Sequence, residues 1–250
     1  MLDPKKVRVG IAPIAWTEDD MPEMGAENSF LQTISEIALT GYVGTEIGCQ
    51  FPRDPAILNK ELGRRDLSVI TAWISTYLNE QPLWWNERAF VDHMNFLKAC
   101  GTNIINTSDQ SFSIQHQWNT PLSQKKVLND DEFETLAKGL DHLGKIAYDS
   151  GMQIVYHHHM TTTVQKTNEI DHLMQLTDPK YVSQLAQYLH REHPQLKVAW
   201  YSGRQQFPRT IRKRDFDYIK LGPYIEHLGC LKERTTNQRL YKRAVGDDFT

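Results

Sequence analysis

Three consecutive histidines, His157, His158 and His159, follow directly on the short run Gln-Ile-Val-Tyr156. On an extended segment alternate side chains take opposite faces, so His157 and His159 share one side and His158 takes the other. Two imidazoles on one face at a strand end suit a divalent metal or a polyol, and each can carry a proton near neutral pH. The competing reading is a wet surface cluster, or a packed ring whose second nitrogen is satisfied. Glu46 closes another short apolar run, residues 43–47. As chemistry it is a general base or a metal ligand; otherwise it is a surface acid after a turn. Glu18, Asp19 and Asp20 read as a solvated loop that caps the next element.

These residues need elements to position them. Residues 7–15 are short, β-branched and stopped by an acidic run, which predicts a strand. Residues 29–40 carry apolar side chains at helical spacing and end at Gly41. Residues 43–47 form a second strand. Asp54 before Pro55 predicts an N-cap with proline at the first helical position. A third strand over 67–74 precedes a helix over 87–99, and a fourth strand over 103–106 precedes a helix from 130 to Gly151. The fifth strand, 153–156, is followed by a short helix from Asn168. Strand then helix, five times in succession, implies a parallel sheet with helical crossovers. The pace of about 35 residues per unit is that of an α/β, TIM-barrel-like (β/α) architecture. A doubly wound open sheet is the alternative, but no glycine-rich phosphate loop follows any strand.

In parallel α/β folds the chemistry gathers at the C-terminal ends of strands. Those ends carry Trp16 and Thr17, then Glu46, then Trp73, Ser75 and Thr76, then Asn106, Ser108, Asp109 and Gln110, then the three histidines. Polar groups thus collect on one rim, where a bland sheet end would show turn formers only.

The 250 residues are 40% hydrophobic with a net charge of −3, which excludes a disordered tail, a coiled coil and a collagen-like repeat. No apolar run is long enough to span a membrane, and no secretory leader is expected from the N-terminal residues. Cys49, Cys100 and Cys230 share no metal-ligand spacing, so a reduced, cytoplasmic compartment is expected. Charge is uneven: residues 1–183 sum to −9 and residues 184–250 to +6. The basic residues of the last part are scattered without a motif and read as a solvated face rather than a nucleic-acid patch.

Several stretches together resemble the inosose dehydratase family, within the xylose-isomerase-like barrel group. They are Gly10-Ile-Ala-Pro-Ile-Ala-Trp16 with Asp19-Asp-Met-Pro-Glu23, Gly44-Thr-Glu-Ile-Gly48, Pro52-Arg-Asp-Pro-Ala56, Ala72-Trp-Ile-Ser-Thr76, Ser113-Ile-Gln115, Tyr156-His-His-His-Met160 through Gln165, and Glu169-Ile-Asp171 to Thr177-Asp-Pro179. The resemblance implies loss of water from a small cyclic polyol ketone, scyllo-inosose, in inositol breakdown. It also implies manganese or cobalt, and glutathione. On this resemblance Glu46, His157 and His159 are the candidate catalytic residues. Trp16, Trp73, Ser108, Gln110 and His158 are candidates for substrate binding. Gln165 stands where related barrels place a metal-binding glutamate, and with His159 is the candidate metal contact.

The resemblance stops near Ser183. The later Asp, His and Glu of the family's metal constellation are missing, so an impaired enzyme is expected. Residues 184–250 resemble instead the C-terminal end of the anaerobic ribonucleotide reductase activating proteins, which are radical-SAM enzymes. Strands are expected over 196–201 and 216–224. The three cysteines cannot make that family's C-x₃-C-x₂-C run, so no iron–sulfur cluster is expected. The sequence therefore divides into a partial barrel over 1–183 and an α/β segment over 184–250, joined as a fusion or as two joined sequences. Five βα units leave two open sheet edges, to be covered by the C-terminal strands or by a second copy in a homo-oligomer. A non-catalytic sugar-binding protein and an activase-related protein are the remaining readings.

Overall fold

The computed structural model describes residues 7–177, 180–207, 211–223 and 225–243. Asp178, Pro179 and Tyr224, which closed two of the stretches quoted above, lie outside them. The chain packs as two units, residues 1–126 with 142–163, and residues 127–141 with 164–250.

The first unit is built on five parallel strands in sequential order. They are β1 (Gly10–Ile11), β2 (Gly44–Ile47), β3 (Ser68–Thr76), β4 (Ile104–Asp109) and β5 (Gln153–Tyr156). The helices between them are α1 (Phe30–Leu39), α2 (Pro55–Gly63), α3 (Leu83–Ala99) and α4 (Asp130–Asp149). In α4, residues up to 141 pack with the second unit and the rest with the first. Asp54 caps α2 as expected: its Oδ1 accepts from the N–H groups of Ala56 at 2.8 Å and Ile57 at 3.4 Å. Ile34, Ile37, Leu58, Leu62, Phe90 and Leu97 are the faces that these helices bury.

Several boundaries differ from the sequence reading: β3 and β4 run on to Thr76 and Asp109, β6 and β7 are shorter than expected, and two further differences have a local cause. β1 is only two residues long, because Pro13 opens a 3₁₀ turn, Pro13–Ala15, in which the Trp16 and Thr17 N–H groups close back on its carbonyl. α3 starts at Leu83, four residues before the expected position. Trp84 and Trp85 in its first turn stay exposed and so break the apolar period.

β3 contains one residue more than its neighbour. Thr45 pairs with Val69, yet Ile47 pairs with Ala72, so two steps on β2 face three on β3. The extra residue falls around Ile70 and Thr71. The Ile70 side chain fills the space above Gly10 and Gly44; a Cβ on Gly10 would stand 1.8 Å from Ile70 Cδ1. The Thr71 hydroxyl takes the place of backbone in the ladder, accepting from the Asn106 N–H and donating to the Ile104 carbonyl, both at 3.1 Å. Regular pairing resumes at Trp73 opposite Asn106. Such a bulge changes which face the following side chains occupy.

The second unit holds α5 (Thr167–Leu176), α6 (Lys180–Glu192) and a three-stranded sheet of β6 (Ala199–Tyr201), β7 (Tyr218–Leu221) and β8 (Arg239–Lys242). β6 and β7 are parallel, and β8 is antiparallel to β7. The composition break near Ser183 falls inside α6. Ala186, Trp200, Ile211, Phe216 and Ile219 form the core of this unit. Asp217 ties it together, bonded to the Val198 N–H and to His190, Lys197 and Arg243. Burial pushes its carboxyl up, but the Val198 N–H, His190 and Lys197 outweigh this and hold it at about 2. Among the described residues no helix is long and apolar enough to cross a membrane.

Thr71→Val keeps the shape of the bulge but strips the Asn106 N–H and the Ile104 carbonyl of their partner. Leaving such groups unpaired costs about 1–3 kcal/mol each. We expect urea unfolding to show a loss of roughly 2 kcal/mol or more. A change below about 0.5 kcal/mol would show that the hydroxyl is no part of the ladder.

Candidate functional site

The C-terminal ends of the five parallel strands open into one cavity of about 720 Å³, within the roughly 300–1,000 Å³ usual for small-molecule sites. Glu46 from β2, Trp73 and Ser75 from β3, Asn106 from β4, and His157 and His159 beyond β5 all line it. The parallel register puts them at one level: Trp73 pairs with Asn106 and Ser75 with Ser108. The His157 N–H donates to the Thr107 carbonyl at 2.7 Å, so the ladder runs one residue past β5 and fixes the first histidine.

Glu46 and Asn106 meet across the intervening β3, where the Asn106 amide donates to Glu46 Oε1 at 3.2 Å. Burial pushes the Glu46 carboxyl above the ordinary glutamate range; the Asn106 hydrogen bond opposes this and the nearby Asp19 charge adds to it. The result is a carboxylate that is more basic than a solvated one and held in one orientation.

The histidines pack around Trp73, whose ring meets His157 edge-on at 5.3 Å and His159 at 5.7 Å between centroids. Desolvation, and then the neighbouring His159 and His158, push the His157 imidazole below its ordinary value. His159 Nδ1 lies 2.8 Å from the Met160 carbonyl. A carbonyl can only accept, so Nδ1 carries the proton and Nε2 is the basic nitrogen of the neutral ring. The Trp73 indole N–H donates to Ser75 Oγ at 3.0 Å, which locks the ring that both histidines touch.

Of the residues expected from sequence, the structure brings Glu46, Trp73, Gln110, His157 and His159 to the cavity wall. His158 is exposed and is no part of the wall. Trp16 is held elsewhere: its indole N–H donates to Glu36 Oε2 on α1 at 2.6 Å, and it is no part of the wall. Ser108 is fully buried behind the wall. Gln165 belongs to the second unit, where its N–H is taken by the Glu169 carboxylate at 2.9 Å.

The loops supply what sequence reading missed. Glu18, Asp19 and Asp20, read as a solvated stretch, line the cavity together with Glu80, Tyr77, Phe112 and His116. Asp19 is anchored by the Cys49 N–H at 2.9 Å. Asp20 bonds the Gln115 amide and stands 3.9 Å from His116. Their only sequence signal was an acidic run directly after a strand, which a capping loop shows equally well. Among the described residues no lysine or arginine lines the cavity, against five carboxylates.

Among the described residues no group of three or more His, Cys, Asp or Glu side chains is placed to hold a metal ion. The donors present thus do not fit the divalent metal that the family resemblance implies. Among the described residues the three cysteines are free; Cys49 and Cys230 are exposed and Cys100 is buried.

No family model matches the chain. It is 51% identical over 177 residues to an inosose dehydratase of Clostridium perfringens, covering 70% of this chain and 60% of that protein. An inosose dehydratase of Clostridium tetani is 49% identical over 183 residues, 73% of this chain and 61% of its own length. Inosose dehydratase 2 of Bacillus cereus is 49% identical over 186 residues, 74% and 62% respectively. The chain thus spans about three fifths of the length of the curated relatives it matches. Among solved structures, the TM-score is 0.51 to a xylose isomerase-like TIM barrel/4-hydroxyphenylpyruvate dioxygenase fusion protein, at 14% identity over 69% of this chain and 25% of that one. It is 0.50 to a probable 3-DHS dehydratase from Bacillus anthracis, at 10% identity over 78% and 73%. It is also 0.50 to a D-psicose 3-epimerase solved with D-fructose, at 13% identity over 88% and 86%. These likenesses establish the fold: α/β, of the xylose-isomerase-like TIM-barrel type, with five strands in its parallel sheet.

The raised carboxyl of Glu46 has a sign that can be measured. A group whose folded value lies above its unfolded one contributes stability below the unfolded value and loses it as pH rises through the folded value. Glu46→Gln keeps an acceptor for Asn106 and removes the buried charge. The variant should therefore be more stable than the parent at pH 7, and urea titrations should show that advantage shrinking as pH falls towards 4.5. An advantage that is constant with pH, or absent, would contradict a desolvated Glu46.

Proposed function

We propose that the cavity of the first unit binds an uncharged cyclic polyol ketone and removes water from it, as an inosose dehydratase does. The observation that carries this reading is the wall itself: among the described residues it holds five carboxylates and three imidazoles, no lysine or arginine, and an aromatic ring in the floor. A phosphorylated or carboxylated substrate would need a cation for its anion, whereas hydroxyls can donate to carboxylates and accept from amides. The Trp73 ring offers an apolar face to the C–H side of a sugar-like ring.

The chemistry then follows from two differently tuned groups. Glu46, more basic than a solvated glutamate and oriented by Asn106, takes the proton from the carbon next to the ketone. The electron pair left on that carbon is shared with the carbonyl oxygen as an enolate. Its collapse forms a carbon–carbon double bond and breaks the neighbouring C–O bond. The departing oxygen takes a proton from an imidazolium, His159 when it also carries a proton on Nε2 or His157 in its charged form; the ring returns to neutral and water leaves. Gln110 and Ser75 supply polar contacts for ring hydroxyls. His158 and Trp16 are left with supporting roles, since neither is part of the wall.

The resemblance implies manganese or cobalt, with Gln165 and His159 as contacts, and glutathione. The donors on the wall do not fit a metal ion, so no step is routed through one. A bound divalent metal would polarise the ketone oxygen and stabilise the enolate; with the late Asp, His and Glu of the family pattern missing, turnover slower than that of the curated relatives is expected.

The test is loss of scyllo-inosose by the purified chain. Glu46→Gln and His159→Ala should each lower kcat by roughly 100-fold or more, the usual worth of a positioned acid or base. A phosphorylated polyol ketone should fail to compete. Full turnover in either variant would end the catalytic assignment. Binding of the ketone without turnover in the parent would leave a sugar-binding protein in its place.

A further inference from the structure

Asp109, the last residue of β4, is fully buried and does not line the cavity. Its Oδ2 accepts from the Leu78 N–H at 2.7 Å and from the Thr76 hydroxyl at 3.1 Å. Its Oδ1 accepts from the Ser111 N–H at 3.2 Å. Leu78 belongs to the loop that follows β3, and Ser111 to the loop that follows β4. Two further bonds run alongside: the Asn79 N–H donates to Ser111 Oγ at 3.0 Å, and the Gln110 N–H donates to the Thr76 carbonyl at 2.7 Å. Between these anchors stand Tyr77 and Gln110, which do line the cavity.

A buried carboxylate is costly unless donors surround it, and an apolar residue would fill the same space more cheaply. What the carboxylate adds is convergence of donors from two separate loops on one side chain. The loop beyond β4 also needs holding. Phe112, next to Ser111 and in the cavity wall, sits in the left-handed region at φ 56°, a conformation that non-glycine residues keep only when their surroundings impose it.

We infer that Asp109 is a positioning residue of the site: it clamps the loops after β3 and β4 together and so sets the wall formed by Tyr77, Gln110 and Phe112. The inference rests on the reading that this cavity binds the substrate. The clamp itself can be read without it.

Asp109→Asn keeps the size of the side chain but turns an amide N–H towards groups that are themselves donors. Thr76→Val removes one donor and leaves the carboxylate in place. In the full chain, hydrogen–deuterium exchange of residues 77–79 and 110–112 should accelerate roughly tenfold or more in Asp109→Asn. Thr76→Val should loosen the same two loops less, and the rest of the parallel sheet should keep its protection in both. KM for scyllo-inosose should rise roughly tenfold in Asp109→Asn with a smaller change in kcat, because a displaced wall weakens binding before it alters proton transfer. Exchange that rises evenly across all five strands would make Asp109 merely structural, and unchanged exchange in the two loops would remove the clamp. If Asp109→Asn fails to fold, the Thr76→Val exchange decides alone. If the parent does not consume inosose, the proposed reaction falls while loop exchange still decides the clamp.

Discussion

The site depends on one extra residue in the third strand. Side chains on a strand alternate with period two, so a single inserted residue turns every later one to the other face. In β3 the insertion lies between Val69 and Ala72, and the Thr71 hydroxyl repairs the ladder that it interrupts. Beyond it Trp73 and Ser75 face the cavity with Glu46 and Asn106. Without the bulge Trp73 would face the helices, His157 and His159 would lose the ring they pack against, and Ala72 would occupy the cavity floor.

From that geometry follows a division of labour by environment. Glu46 and Asp109 are both carboxyls pushed up by burial, yet only Glu46 reaches the cavity. Among the described residues the Glu46 carboxyl has one hydrogen-bond partner, and open space beside it leaves it free to act on a bound molecule. Asp109 has donors from two loops and no open space, which makes it architecture. His157 is pushed the other way, because desolvation and its neighbouring imidazoles disfavour a further positive charge. A raised acid and a lowered base facing one cavity can exchange a proton at moderate cost, and this is the property that acid–base chemistry requires.

The second unit follows a different logic. Its core is small and aromatic, with Trp200 and Phe216 in edge contact at 5.3 Å. Asp217 supplements that core by joining α6, the approach to β6 and the end of β8 through bonds to His190, Val198 and Arg243. The positive charge of residues 184–250 is partly spent inside the unit on this acid and on Asp215, which Arg212 approaches at 3.6 Å.

Local rules carried much of the fold. Hydrophobic period, the Asp54-Pro55 cap and the glycines that end helices place the five strand–helix units, since these signals act within a few residues. Alternation alone put His157 and His159 on one side, and a parallel sheet requires Glu46 and the histidines to share one rim. What sequence could not show was every contact set by distance across the sheet. The same apolar pattern reads equally well with or without a bulge, so the facing of Trp73 had to come from pairing with β2 and β4. An acidic run after a strand looks the same whether it faces water or a cavity. Only the packed loops turned Glu18, Asp19 and Asp20 into wall, drew Trp16 away to Glu36, and buried Asp109 between two loops that lie more than thirty residues apart in the chain.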